Sequence, residues 1–167
     1  ALTKAKDPAD LHRVNVDFTL NLLTAAFAAE LPPERFVFVS SLAAIGPIGI
    51  AQGLIQENSP YRPVTAYGRS KQAAEEMIKA RFADNPISML RPTAVYGPRE
   101  KDLFVLFNTM NKGVDAYIGR KPQQLTFVYV KDLVDVLIQA CLMPQKGLTA
   151  YNISDGQLYS RYAMAEI

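Results

Sequence analysis

Phe36-Val37-Phe38-Val39, the start of FVFVSSLAAIG (residues 36–46), is apolar at every position. A half-exposed strand alternates; an unbroken apolar run predicts a strand buried on both faces, as in a parallel sheet covered by helices. Upstream, Asp10 to Ala29 predicts a helix, because Leu11, Val14, Phe18, Leu22, Ala25 and Ala29 recur at three- and four-residue spacing as one apolar stripe. Pro32 and Pro33 stop it. Downstream, Gly46 to Val64 is rich in Gly, Pro and polar residues. It is long for a loop, and loops of that length are often functional. Thr65 to Phe82 predicts a second helix with Ala74, Met77, Ile78 and Phe82 buried, broken at Asn85-Pro86. Ile87 to Leu90 reads as a short strand ending at Arg91-Pro92, and Lys101 to Asn111 as a helix ended by Lys112-Gly113. Ala116 to Ile118, Thr126 to Val130 and Tyr151 to Ile153 read as strands. Lys131 to Cys141 is a helix with Leu133, Val136, Leu137, Ala140 and Cys141 on one side, and Ser160 to Ile167 resembles the first turns of another. Strands alternating with helices predict an α/β class with a mostly parallel sheet.

The remaining composition narrows function by exclusion. The 167 residues suffice for one domain with a real core. Net charge is +2 with no cluster of Lys or Arg, which argues against a nucleic-acid partner. One cysteine, Cys141, excludes an internal disulfide framework and points to a reducing compartment, the cytoplasm. No apolar run is long enough to cross a bilayer, so no membrane partner is expected, and ALTKAKDPAD is not a signal peptide. His12 is the sole histidine and is expected on the exposed side of the first helix. No Gly-x-Ser-x-Gly elbow accompanies it, and no set of ligands has zinc spacing, so neither a serine triad nor a metal site is expected. The abrupt start and end suggest one catalytic portion, residues 1–167, truncated at both ends.

Three features carry chemistry. Tyr67-Gly68-Arg69-Ser70-Lys71 places Tyr67 and Lys71 four apart, on one helix face. An ammonium beside a phenol favours the phenolate, which is expected to lower the Tyr67 pKa and make it a general acid/base. Ser40-Ser41 directly follows the buried strand, and parallel sheets bind ligands at the carboxyl ends of their strands. Asn15 falls on or beside the apolar stripe between Val14 and Val16, where a buried amide needs partners. Each feature also has a plain structural reading: a solvated helix face, a strand end and a packing amide.

Taken in order, these residues resemble the extended short-chain dehydrogenase/reductase family, also called the NAD-dependent epimerase/dehydratase family. Asn15 in VNVDFTLNLL, Ser41 in FVFVSSLAAIG, and Tyr67 with Lys71 in YGRSK match its motif order. LRPTAVYGP (residues 90–98) and FVYVKDL (residues 127–133) extend the match over nearly the whole chain. The resemblance implies part of a Rossmann-like, doubly wound sheet with a small substrate-binding region at about 97–130. It implies an oxidoreductase using NAD or NADP on an alcohol/ketone pair. Tyr67 would exchange a proton with the substrate oxygen, Lys71 would tune Tyr67 and hold the nicotinamide ribose, Ser41 would bond the substrate oxygen, and Asn15 would support a water relay. Ser40, Pro92 and Thr93 would lie near the nicotinamide. A homodimer through the Asn15 and Tyr67 helices is also implied, with a small molecule as substrate.

Departures from the family pattern qualify this. Its Gly-x-x-Gly-x-x-Gly fingerprint is absent; Gly46, Gly49 and Gly53 in GPIGIAQG have the wrong spacing, follow the wrong strand and are interrupted by Pro47. The phosphate-binding segment is therefore expected to be missing, leaving an inactive fragment as one alternative and an unpaired sheet edge as a consequence. Ala94 replaces an Asn, and Leu125 an Arg, that nucleotide-sugar members tend to carry. An apolar side chain cannot make a bidentate phosphate contact. This favours a hydrophobic carbonyl substrate over the alternative, a nucleotide-sugar epimerase or dehydratase, although Arg99 or Arg120 could meet a phosphate from another direction.

Overall fold

In a computed structural model, residues 1–112 and 124–160 are described. Three parallel strands form the central sheet: β1 (Phe36–Val39), β2 (Ile87–Pro92) and β6 (Leu148–Ile153), in the order β1-β2-β6. The register runs Phe36↔Ile87 to Val39↔Leu90, and Ile87↔Leu148 to Pro92↔Ile153. Parallel neighbours need crossovers, and α3 (Ala66–Arg81) joins β1 to β2 while α5 (Val130–Leu142) precedes β6. Phe38, Ile87 and Met89 meet Val16, Leu23, Ala74 and Ile78 in one buried cluster. Ala74, Met77, Ile78 and Phe82 thus face the core as expected. Among the described residues no helix is long and apolar enough to cross a membrane.

β1 is not the strand buried on both faces. Among the described residues it pairs on one side only, and Val39 is 41% exposed. β2 is the strand buried at every position, although its sequence, ISMLRP, contains Ser88 and Arg91. Burial here follows from being the middle strand, with Arg91 satisfied by an ion pair. Val134, Ile138 and Leu142 lie exposed along α5, and Cys141 is exposed rather than packed.

The first helix also departs from its predicted face. It is α1 (Pro8–His12), a π-helical turn (Arg13–Asp17) and α2 (Phe18–Phe27). Asp7 caps it, accepting from Ala9 N at 2.9 Å. Within the π turn the Phe18 N–H reaches back to the Arg13 carbonyl. The extra residue rotates everything downstream by about 100° relative to a uniform helix. The buried residues become Leu11, Asn15, Val16 and Leu23, while Phe18 and Leu22 are 55% and 59% exposed.

A second group of elements stands beyond the sheet. β3 (Ala94–Tyr96), a strand the sequence reading did not separate, runs parallel to β5 (Phe127–Tyr129). α4 (Asp102–Asn111) follows β3 as expected. β4 (Gln124–Leu125) pairs antiparallel with β7 (Tyr159–Ser160), so Ser160 belongs to a strand and not to a helix. The expected strand Ala116–Ile118, Arg120 and residues 161–167 lie outside the described residues.

Candidate active site

The site grows from the carboxyl end of β1. Ser40 N donates to the Leu90 carbonyl at 2.7 Å, carrying the pairing one residue past the strand. Ser41 is extended, and its Oγ accepts from Ala43 N at 3.2 Å, starting a tight turn at Leu42–Ala44. That turn lies against the start of α3, where Thr65 caps the helix by accepting from Gly68 N at 2.9 Å. A Cβ on Gly68 would stand 2.4 Å from the Ala43 carbonyl oxygen. Glycine at that position therefore lets the helix and turn touch, which brings Ser41 near enough to the Tyr67 phenol to lower its pKa.

Lys71 lies one turn behind Tyr67 and is 3% exposed. Its Nζ donates to the Val39 carbonyl at 2.8 Å, 5.1 Å from the Phe38 ring centre and 6.0 Å from that of Tyr67. The electrostatics differ from the expectation that Lys71 lowers the Tyr67 pKa. Burial pushes the phenol above its ordinary value of 10.0, and the Ser41 hydrogen bond pulls it partway down. Burial likewise depresses Lys71, opposed by the charge of Glu75. Desolvation outweighs the Ser41 contribution, and no effect of Lys71 on the phenol offsets it, so Tyr67 at neutral pH is a phenol ready to donate.

Asn15 is buried in the π turn, behind the site. Its Nδ2 donates to Ser70 Oγ at 2.9 Å and to the Leu2 carbonyl at 2.9 Å, and its Oδ1 accepts from Leu2 N at 2.8 Å. Ser70 Oγ donates onward to the Tyr67 carbonyl at 2.8 Å. Asn15 thus reaches Tyr67 through Ser70 and the backbone. Pro92 is buried at the end of β2, and Thr93 N donates to the Ile153 carbonyl at 3.0 Å. The structure brings Ser41, Tyr67 and Lys71 together, sets Asn15 behind them, and leaves Pro92 and Thr93 at the same sheet end on the neighbouring strand.

Sequence reasoning missed the network beneath. Glu75 and Arg91, both 0% exposed, form an ion pair with Nη2 to Oε2 at 2.6 Å. Ser40 Oγ and Tyr61 Oη each donate to the same carboxylate at 2.5 Å. A charge in the apolar run SMLRP, and a carboxylate four residues after Lys71, were the available signals.

The nicotinamide end of a dinucleotide fits what is present. Thr93 Oγ1 is buried at the sheet's carboxyl end without a hydrogen-bond partner among the described residues, a polar atom suited to a ligand group. The glycine run does not fit a diphosphate. Gly46 has φ 82°, and a Cβ there would stand 2.2 Å from the Arg62 carbonyl oxygen, so its freedom serves the loop's own closure.

A parallel α/β sheet with a serine, a tyrosine and a lysine at its carboxyl end defines the class of nicotinamide-dependent short-chain enzymes. Residues 2–154 match the NAD dependent epimerase/dehydratase family, and the chain belongs to it. It is 30% identical over 158 residues to UDP-glucose 4-epimerase of Vibrio cholerae, covering 92% of this chain and 48% of that protein. It is 29% identical over 147 residues to ceramide reductase of Caulobacter vibrioides, covering 88% and 40%. The solved structure of MoeE5 in complex with UDP-glucose and NAD is 30% identical with a TM-score of 0.73, over 90% of this chain and 51% of that one. The chain spans about half the length of these proteins or less. Solved neighbours carry NAD or NADPH, the cofactors of this family.

Proposed function

We propose that this chain carries the acid/base centre of an NAD(P)-dependent enzyme that interconverts a hydroxyl and a ketone on a nucleotide sugar. The observation that carries the reading is Lys71, one turn behind Tyr67 and bonded through Nζ to the Val39 carbonyl at 2.8 Å, at the carboxyl end of β1 where Ser41 follows. Tyr67 donates its phenolic proton to a ketone oxygen, or accepts one from a hydroxyl. Ser41 orients that oxygen, and Lys71 stabilises the phenolate as it forms. Lys71, Ser40, Pro92 and Thr93 would hold the nicotinamide end of the cofactor, which when bound supplies or takes the hydride. The nucleotide-sugar class is supported by the UDP-glucose 4-epimerase relative and by UDP-glucose beside NAD in MoeE5.

A second reading, reduction of a hydrophobic ketone, is favoured by Ala94 and Leu125 and by the ceramide reductase relative. In the whole protein, turnover of UDP-sugars against long-chain ketones, followed by nicotinamide absorbance, separates the two. Tyr67→Phe should lower kcat about 10²–10⁴-fold with nicotinamide fluorescence on binding unchanged. Wild-type turnover in that variant rejects the assignment. We further propose a homodimer through the Asn15 and Tyr67 helices, supported by the exposed Phe18 and Leu22.

A further inference from the structure

Glu75 is a buried carboxylate whose partners come from separate elements around the candidate site. Arg91 Nε donates to both of its oxygens at 3.0 Å, from the strand residue just before Pro92 and Thr93. Ser40 Oγ donates from the residue just before Ser41. Tyr61 Oη donates from the loop between Gly46 and Val64. Arg91 continues into the same loop, giving Nη1 to the Glu57 carbonyl at 2.9 Å and Nη2 to Tyr61 Oη at 3.2 Å. A buried ion pair is poor value as a stabiliser compared with apolar packing of the same volume, because both charges must leave water. What this pair provides is geometry: one carboxylate fixes the end of β1, the end of β2 and the loop to the helix that carries Tyr67 and Lys71.

We propose that Glu75 is a positioning residue for the Ser41–Tyr67–Lys71 site, holding Ser40, and through it Ser41, against Tyr67 and setting a negative charge one turn from Lys71. The proposal rests on the functional reading above. Its electrostatic part follows from what faces Lys71. From its own helix come Tyr67 and Glu75; from β1 come the Phe38 ring and the Val39 carbonyl, which do not titrate. The π turn presents neutral Asn15, bonded to Ser70. Glu75 in turn faces Arg91 from β2, Ser40 from β1 and Tyr61 from the loop, with Lys79 Nζ donating to Tyr61 Oη at 2.8 Å. Burial depresses Lys71 and Glu75 opposes it.

The test compares Glu75→Gln with Glu75→Asp and Tyr61→Phe in the whole protein. Folding is checked by circular dichroism, and Lys71 is titrated by NMR of its labelled ε-carbon. Removing the charge should lower the Lys71 midpoint by about one pH unit, and the alkaline limb of kcat should move with it. Glu75→Asp keeps the charge but shortens the clamp. It should restore the midpoint while leaving kcat about tenfold low at every pH. A folded Glu75→Gln protein with an unmoved Lys71 midpoint overturns the proposal. If Glu75→Gln does not fold, the other two variants decide. A loss in kcat with the Lys71 midpoint unmoved supports the positioning role, and wild-type kcat in both overturns it. The Lys71 titration is read without turnover. Failure of the functional reading, seen as full activity in Tyr67→Phe, is therefore a separate outcome.

Discussion

Gly68, next to Tyr67, has no room for a side chain. With its missing Cβ only 2.4 Å from a backbone oxygen, Gly68→Ala must push the Leu42–Ala44 turn away from the helix. The expected loss is about 1–3 kcal/mol of stability, with turnover falling as Ser41 and Tyr67 separate; thermal melts and kcat read both. An unchanged melt would mean that the turn yields freely. Ser70→Ala should cost about 1–2 kcal/mol in urea unfolding, because the buried Asn15 amide loses a partner. Equal stability would show that a solvent molecule replaces the hydroxyl. Tyr67, Lys71 and Ser41 were legible in the sequence because helix spacing and a strand end are local properties. Glu75 and Arg91 were not, since their pairing joins residues 16 positions apart across a helix and a sheet. The direction of the Tyr67 pKa was equally hidden, as it depends on how much water the fold leaves around the phenol.

At the scale of elements, the π turn decides which side of the first helix meets water. A periodicity argument assumes one pitch throughout, so it followed Phe18 and Leu22 into the core. The molecule places Val16 and Leu23 there instead. The existence of the helix was readable and its orientation was not, because the π turn centres on Asn15, whose buried partner Ser70 lies 55 positions away in sequence. The same limit applies to the strands: an all-apolar run predicted β1 well, but only pairing reveals that β2 is the central strand. If the exposed side of α2 forms the proposed dimer, Phe18→Glu with Leu22→Lys should sediment as a monomer with an unaltered circular dichroism spectrum. A wild-type chain that is already monomeric rejects that interface.

For the molecule as a whole, the half-buried phenols Tyr61 and Tyr67 should limit stability at alkaline pH. Tyr61 and Tyr67 are raised above their ordinary 10.0 by burial, with Glu75 adding to the rise at Tyr61. Below about pH 10 both states hold these protons and the full contribution is present. As the pH climbs through the folded values, the unfolded chain is already ionised and the contribution is lost. Lys71 works oppositely: depressed below its ordinary 10.5, it adds stability as the pH rises toward that value. Urea unfolding should therefore show stability falling steadily above about pH 10.5. Combining Tyr61→Phe with Tyr67→Phe should flatten the fall, and an equally steep decline in that variant would refute the assignment to these phenols.

The order of the sheet has a consequence in time. β2 is the common partner of both other strands, yet residue 87 pairs with residue 36 on one side and residue 148 on the other. Neither pairing can form as a local hairpin, and each must close a long stretch of chain before any ladder bond rewards it. On a ribosome, β1 emerges long before the strand that will cover its edge, and β2 before β6. Through that interval two apolar strands wait with open hydrogen-bonding edges. Refolding yield should therefore depend steeply on chain concentration, more so than for a helical bundle of the same length.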